Sequence, residues 1–248
     1  MAESAGETDG VKMATISAVV LARNEENDFF RACIMKLLKL VDEIIVVLDN
    51  RTYDDTIRLL QSFKDDRIRI FSYGWQGPES YTSAKNYGIS KATKEWILEI
   101  DADEVVADGI DLKAEIEKQP DADCFDLFSE HCLWNFGYRD ATYCPHVHQC
   151  RLHKNSPEIR YPENTMHGLV QGWKRRAVLC NKIVIFHYGY CKNMQAILNR
   201  YAQNMKRKEM HTEPYLEWWK NAHYFGIMPA QAINPQRHPS EIKELFKI

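Results

Sequence analysis

From Ile16 onward the apolar positions alternate between two periods. Short runs rich in β-branched residues, "ISAVVLA" (16–22), "EIIVVLD" (43–49), "RIRIFSY" (67–73) and "WILEID" (96–101), predict strands. Between them, "NDFFRACIMKLLKL" (27–40), "DDTIRLLQSF" (54–63) and "SAKNYGISKA" (83–92) carry apolar residues at helical spacing. Such alternation predicts βαβ units, hence a doubly wound α/β sheet that is mostly parallel and flanked by helices. Beyond Gly109 the pattern loosens: "CFDLFSE" (124–130) and "KIVIFHYGY" (182–190) read as strands, and "DATYCPHVHQCRLHK" (140–154) as an extended segment broken by Pro145. From Met194 helical spacing returns and runs into the aromatic stretch "PYLEWWKNAHYFG" (214–226). Tyr215, Trp218, Trp219, Tyr224 and Phe225 there read first as helix packing, and second as a sugar platform or a partner or membrane contact.

In open α/β sheets ligands bind outside the carboxyl ends of the strands. Those exits are "ARNEEN" (22–27), "LDNRTYDDT" (48–56), "SYGWQGPES" (72–80) and "DADE" (101–104). Asp54 and Asp55 have a competing role as caps of the helix that follows them. No GxGxxG follows the first strand and no GxxxxGK[ST] occurs, which argues against a standard dinucleotide oxidoreductase and a P-loop NTPase.

Composition narrows the setting. The chain has 248 residues and a formal charge of −3, so there is no global basic field for wholesale nucleic-acid binding. No apolar run reaches the roughly 18 residues of a membrane span, and the acidic, polar start does not resemble a signal peptide. Seven cysteines without a regular framework fit a reducing compartment, as core residues rather than bridges. The expectation is a cytoplasmic protein, with peripheral attachment to a membrane and homo-oligomer formation left open.

Carboxylates at the strand exits can hold a polyphosphate only if a cation neutralises both, and hard oxygen ligands favour Mg2+ or Mn2+. In Asp101-Ala102-Asp103 alternate residues of an extended segment point the same way, and the small alanine lets a ligand approach. Phosphatases, receiver domains and simple loop caps share that triplet. The combination is more specific. "ISAVVLARNEE", "VDEIIVVLDNRTYDDT", "SAKNYGISKATKEWILEIDADE", "QCRLHKNSPEIRY", "MHG" and "IFHYGY" occur in the order and approximate spacing of the family 2 glycosyltransferases of GT-A fold. The chain most resembles the branch of lipopolysaccharide-core glucosyltransferases and peptide S-glycosyltransferases, over roughly residues 15–190.

The resemblance implies a GT-A domain over 15–190, preceded by a flexible tail (1–14) and followed by a helical C-terminal extension (191–248). It further implies that Ala22, Arg23, Asn24 and Glu25 line a nucleotide pocket, that Asp49 contacts the base, and that Lys85 and Asn86 lie near nucleotide or sugar. Asp101 would sit by the ribose or sugar and also near the metal, Asp103 would be the direct ligand of Mn2+ or Mg2+, and His187 would complete the metal site. The donor would be a nucleotide-sugar, and the acceptor, a glycan, a lipid-linked group or a protein, is not specified.

Breaking a glycosyl–phosphate bond leaves charge on the diphosphate, which a cation stabilises, with Arg151, Lys85 or the basic run 206–208 as helpers. Inversion also needs a base opposite the leaving group. The similar enzymes commonly carry His-Glu where this chain has His167-Gly168, so Glu163, His167 and Asp140 are the candidates. A degenerate nucleotide-sugar binder or scaffold that lost the base is the alternative. "CPHVHQC" superficially suggests zinc, since in a regular strand Cys144, His146, His148 and Cys150 share one face. The outer cysteines would lie about 20 Å apart, too far for one ion.

Overall fold

The computed structural model describes residues 13–75, 80–141, 146–163, 165, 168–191 and 230–248, without the side chains of 146, 147 and 149. Its N-terminal half follows the alternation read from the sequence. Strand β1 (Ile16–Ala22), helix α1 (Asp28–Leu40), β2 (Glu43–Leu48), α2 (Thr56–Ser62), β3 (Ile68–Ser72), α3 (Ser80–Lys91) and β4 (Trp96–Asp101) come in that order. The strands pair in parallel as β3-β2-β1-β4, so every exit named above opens on one edge. Strand alternation feeds two apolar layers: Ile16, Ala18 and Val20 face α1 and α2, while Val19 and Leu21 face α3. Asn27 caps α1 by accepting from the Phe30 N–H at 3.0 Å.

The C-terminal half extends the sheet with mixed pairing. β5 (Glu104–Val106), α4 (Leu112–Glu117), β6 (Cys124–Leu133), β7 (Tyr138–Asp140), β8 (His146–Lys154) and β9 (Arg176–Tyr190) complete most of a ten-stranded sheet. β8 runs antiparallel between β4 and β6, which leaves β6 parallel to β4. β9 then lies parallel to β6 and antiparallel to β5, so β5 meets the late strand directly after the Asp101–Asp103 turn.

Cys150 corrects two expectations. It is joined to Cys124 across β8 and β6, so this pair bridges instead of simply filling the core. It also takes φ 53°, where the Asp126 carboxylate accepts its N–H at 2.9 Å and the ladder shifts register between Phe125 and Leu127. A bulge breaks the period-two rule, so the expected shared face of the "CPHVHQC" segment is interrupted. His148 and Arg151, three apart, both reach Glu104.

The expected helical extension falls largely on 192–229, outside the described residues, as does the aromatic stretch. Its described end returns to the domain as β10 (Ala230–Ala232), which pairs with β7, and helix α5 (Ser240–Phe246). Helix α5 is held on α1 by Phe246 stacked at 4.7 Å on Phe29 and by an ion cluster. In it Lys36 contacts Asp108 and lies 3.4 Å from Glu241, which Lys39 reaches at 2.8 Å. No helix among the described residues is long and apolar enough to cross a membrane.

Burial opposes ionisation of Glu241 and Asp108, but hydrogen bonds from Lys39 and Lys36 outweigh it and hold both carboxyls below their usual range. Their stabilising effect is therefore complete above the unfolded-state value near pH 4.5 and is lost as pH falls through the depressed folded values. Glu241→Ala, which leaves buried Lys36 short of a partner, is expected to cost about 3 kcal/mol at pH 7 and progressively less below about pH 4. Urea unfolding of both proteins across that range checks it.

Candidate active site

The exit edge is built around Glu104. Its side chain, 1% exposed, accepts the Asp101 backbone N–H at 2.8 Å and pairs with the Arg151 guanidinium. Arg151, itself buried, lies 3.7 Å from Asp101, and His148 Nε2 lies 3.6 Å from Glu104. Desolvation works against both carboxyls. It prevails at Glu104, whose pKa is raised, whereas Arg151 and Lys85 together bring Asp101 below its usual range. One carboxylate thus shapes the turn while its neighbour stays charged and half-buried beside the opening.

Below this turn Lys85 projects from α3 to within 3.2 Å of the Tyr161 hydroxyl and 3.6 Å of Glu99, with its ammonium over the Tyr81 and Tyr161 rings. Burial opposes charge on Glu99, and Lys85 followed by His153, 3.2 Å away, reverses that and keeps it ionised. Asn86, which the resemblance places near nucleotide or sugar, is bonded to a backbone segment. Its amide accepts from the Tyr161 N–H at 3.0 Å and donates to the Tyr161 carbonyl at 2.9 Å, so both ends are committed to backbone. One turn earlier Thr82 Oγ1 accepts from Thr165 N at 3.1 Å and donates to Thr165 O at 2.9 Å. These two clamps carry the 161–165 segment along α3 towards the exit edge. Glu163 is exposed in that segment, and His167 lies outside the described residues.

Gly168 gives the loop's missing carboxylate a physical reason. A Cβ there would meet Thr165 Oγ1 at 2.2 Å and Pro162 Cγ at 2.9 Å, so the turn accepts no side chain without rearrangement.

At the first two exits, Asp49 is fully buried and accepts from Arg51 through Nε at 3.0 Å and Nη2 at 2.6 Å, with Arg23 at 3.7 Å. Burial would raise its pKa, but the Arg51 hydrogen bonds lower it. Arg51, which the sequence reading passed over, therefore fixes the carboxylate that the resemblance assigns to a base. Asn24 takes φ 54° and its Oδ1 accepts the Tyr53 N–H at 3.0 Å, while the Glu25 N–H donates to Thr56 Oγ1 at 2.8 Å. These bonds lace the Ala22–Glu25 exit to the Leu48–Thr56 exit. Asp54 Oδ1 accepts the Thr56 N–H at 3.1 Å, in keeping with the capping alternative, whereas Asp55 makes no side-chain cap bond.

His187 comes from β9 to the other side of Asp103, with Nε2 3.5 Å from Asp103 Oδ1. Among the described residues no set of three or more His, Cys, Asp or Glu side chains forms a complete cation cage. Asp103 and His187 do fit a two-ligand site. Gly189 lacks the Cβ that would stand 2.6 Å from His187 Nε2 and 3.0 Å from Asp103 Oδ2, so the backbone leaves a hollow between those atoms. Two protein ligands leave coordination positions for phosphate oxygens.

The sequence model of glycosyl transferase family 2 matches residues 17–168. The chain belongs to that family. Among curated relatives, a TPR repeat-containing protein of Synechococcus elongatus is 28% identical over 194 residues, 73% of this chain and 44% of its own length. An uncharacterized glycosyltransferase of Rickettsia typhi is 33% identical over 105 residues, 42% of this chain and 32% of its own. The chain thus spans less than half the length of these relatives. Among solved structures, S. aureus TarS aligns over 87% of this chain and 44% of TarS at 12% identity, TM-score 0.52. A TarS fragment crystallised with UDP-GlcNAc aligns over 86% and 73% at 15% identity, TM-score 0.50. At these identities TarS supports the fold, α/β of the family 2 type.

Within this family 2 domain Arg151 is the charge that keeps the Asp101–Glu104 turn together. Arg151→Leu leaves Glu104 buried and unpaired and is expected to destabilise the fold by about 3–5 kcal/mol at pH 7. Acid should relieve the loss, because the unpaired glutamate's raised pKa lets it take up a proton before it does so in the unfolded chain. Chemical unfolding of the variant at pH 7 and pH 5 measures both effects.

Proposed function

We propose that the chain transfers a sugar, with inversion, from a nucleotide-sugar donor to a nucleophile on a glycan, lipid-linked or protein acceptor. The observation that carries this reading is the exit edge of a family 2 sheet where half-buried Asp101 and buried Asp103 stand beside Arg151 and Lys85. The TarS fragment was crystallised with UDP-GlcNAc, which supports a uridine diphosphate sugar as the first donor to try.

In this reading Ala22–Glu25 and the Arg51-braced Asp49 hold the nucleoside, Asp101 orients the ribose or sugar, and Asp103 with His187 holds Mn2+ or Mg2+. When bound, that cation supplies Lewis-acid stabilisation of the diphosphate leaving group. Lys85 and Arg151, both largely buried, add fixed positive charge beside the same group. Asn86 and Thr82 position the 161–165 segment, from which Glu163 takes the acceptor's proton. The resemblance to lipopolysaccharide-core and peptide S-glycosyltransferases keeps both oxygen and sulfur acceptors in view.

Saturating UDP with Mn2+ is expected to raise the melting temperature by about 5–10 °C at a hundred times its Kd. No shift with any nucleotide diphosphate would sink the reading. In a donor-turnover assay with Mn2+, Asp103→Asn should lose about a hundredfold or more in kcat, and Glu163→Gln about 10²–10⁴-fold while donor binding survives. Wild-type turnover in Glu163→Gln removes that residue from the mechanism. A wild-type protein that binds donor and never releases nucleotide fits the scaffold alternative instead.

A further inference from the structure

His131 lies on β6, and the parallel β6–β9 ladder makes it the register partner of His187. Neighbouring strands stand about 4.8 Å apart, so same-face partners on them touch. The two imidazoles meet edge-to-face with ring centres 4.7 Å apart and Nδ1 to Nδ1 at 2.8 Å. On its opposite end His187 presents Nε2 to Asp103 Oδ1, and Tyr190 closes the ring's flank at 5.3 Å with a second edge contact. Both nitrogens of His187 thus face defined partners: one a neighbouring imidazole, the other the carboxylate and the hollow left by Gly189.

A 2.8 Å contact between two imidazole nitrogens is a hydrogen bond only if one carries the proton and the other accepts. Neutral imidazole has a single N–H. If His187 holds it on Nδ1 and donates to His131 Nδ1, its Nε2 lone pair is free for a cation. If His131 is the donor, the His187 proton sits on Nε2 and blocks coordination. A ligating histidine ordinarily gives its second N–H to a carboxylate, carbonyl or water, which fixes tautomer and ring angle. Here the group in that place is a second histidine.

Resting on the cation reading given above, we propose that His131 is a positioning residue: its Nδ1 accepts the His187 Nδ1–H and so turns the His187 Nε2 lone pair to the cation held with Asp103. His131 itself does not ligate. Its contribution is to select one of two tautomers and to stop the ring rotating away from the Gly189 hollow.

Mn2+ affinity, read by electron paramagnetic resonance on the full chain with saturating UDP, tests this without any activity assay. His131→Phe keeps a ring of similar shape and removes the acceptor, and the Mn2+ Kd is expected to rise about 10–100-fold. His131→Asn returns an acceptor oxygen to the δ1 position and should restore most of that loss, which a purely space-filling role would not do. His187→Ala should lose at least as much affinity as His131→Phe. In the wild-type protein with UDP and Zn2+ as a diamagnetic substitute, nitrogen-15 imidazole spectra should place the His187 proton on Nδ1. That measurement serves even if the phenylalanine variant does not fold. Wild-type Mn2+ affinity in folded His131→Phe, or a proton on His187 Nε2 in the Zn2+-loaded protein, overturns the proposal. If His187→Ala also binds Mn2+ like wild type, His187 is no ligand and the cation reading falls with it.

Discussion

The ion cluster of Glu104, Arg151 and Asp101 is the constraint on which the exit edge depends. Three strands meet there: consecutive β4 and β5 bring Asp101 and Glu104, and β8 brings Arg151 from 47 residues beyond Glu104. An ionised glutamate in a closed interior is unfavourable unless charge and hydrogen bonds surround it. Arg151 and the Asp101 N–H meet part of that requirement, and burial still holds the Glu104 pKa above its usual value. Because the glutamate grips the backbone of the very residue beside the opening, electrostatic satisfaction and the shape of the turn are one event. The Asp103 side chain is then aimed by a turn that has little freedom to relax.

Around that turn the other charged groups fall into a graded arrangement. Lys85 is shared between the Glu99–His153–Tyr161 layer and the field felt by Asp101. Asp49 is braced by Arg51 at the far side of the edge. Fixed cations alternate with carboxylates, so an incoming diphosphate would meet both signs in set positions rather than a uniform surface. Preorganisation of this kind is how proteins obtain large electrostatic effects without rearrangement at the moment of reaction.

The parallel half of the fold was legible because each element there carries a complete signal. "ISAVVLA" and "WILEID" coincide with β1 and β4 residue for residue, since a buried parallel strand is apolar throughout and its exit is abruptly polar. The antiparallel half carries weaker signals. β5 is three residues long, β7 and β10 likewise, and none presents a period. β9 starts six residues before "KIVIFHYGY", because Asn181 and Lys182 interrupt the pattern of a strand whose outer part faces solvent. For the site, the sequence named Asp101, Asp103, Lys85, Arg151 and His187, which the fold brings to the exit edge. It passed over Arg51 and the contact of His131 with His187, and it did not foresee the Asn86 bonds to the Tyr161 backbone. The Asn86 bonds depend on a loop folded back over α3 and the His131 contact on pairing across the sheet, with 56 residues between His131 and His187, whereas Arg51 lies only two residues from Asp49. The Cys150 bulge was equally hidden, because it shifts a register that alternation assumes to be constant.

Gly168 has a consequence for how this chain can vary. The Thr165 hydroxyl and the Pro162 ring already occupy the volume that a side chain at 168 would need. A glutamate at position 168 would therefore have to displace side-chain atoms already in place. The Thr165 hydroxyl and the Pro162 ring would have to shift with it, whereas the Thr165 backbone bonds to Thr82 do not depend on that side chain. A larger residue at position 168 therefore acts on the side chains packed against it, while the hold of the segment on α3 stays with backbone atoms.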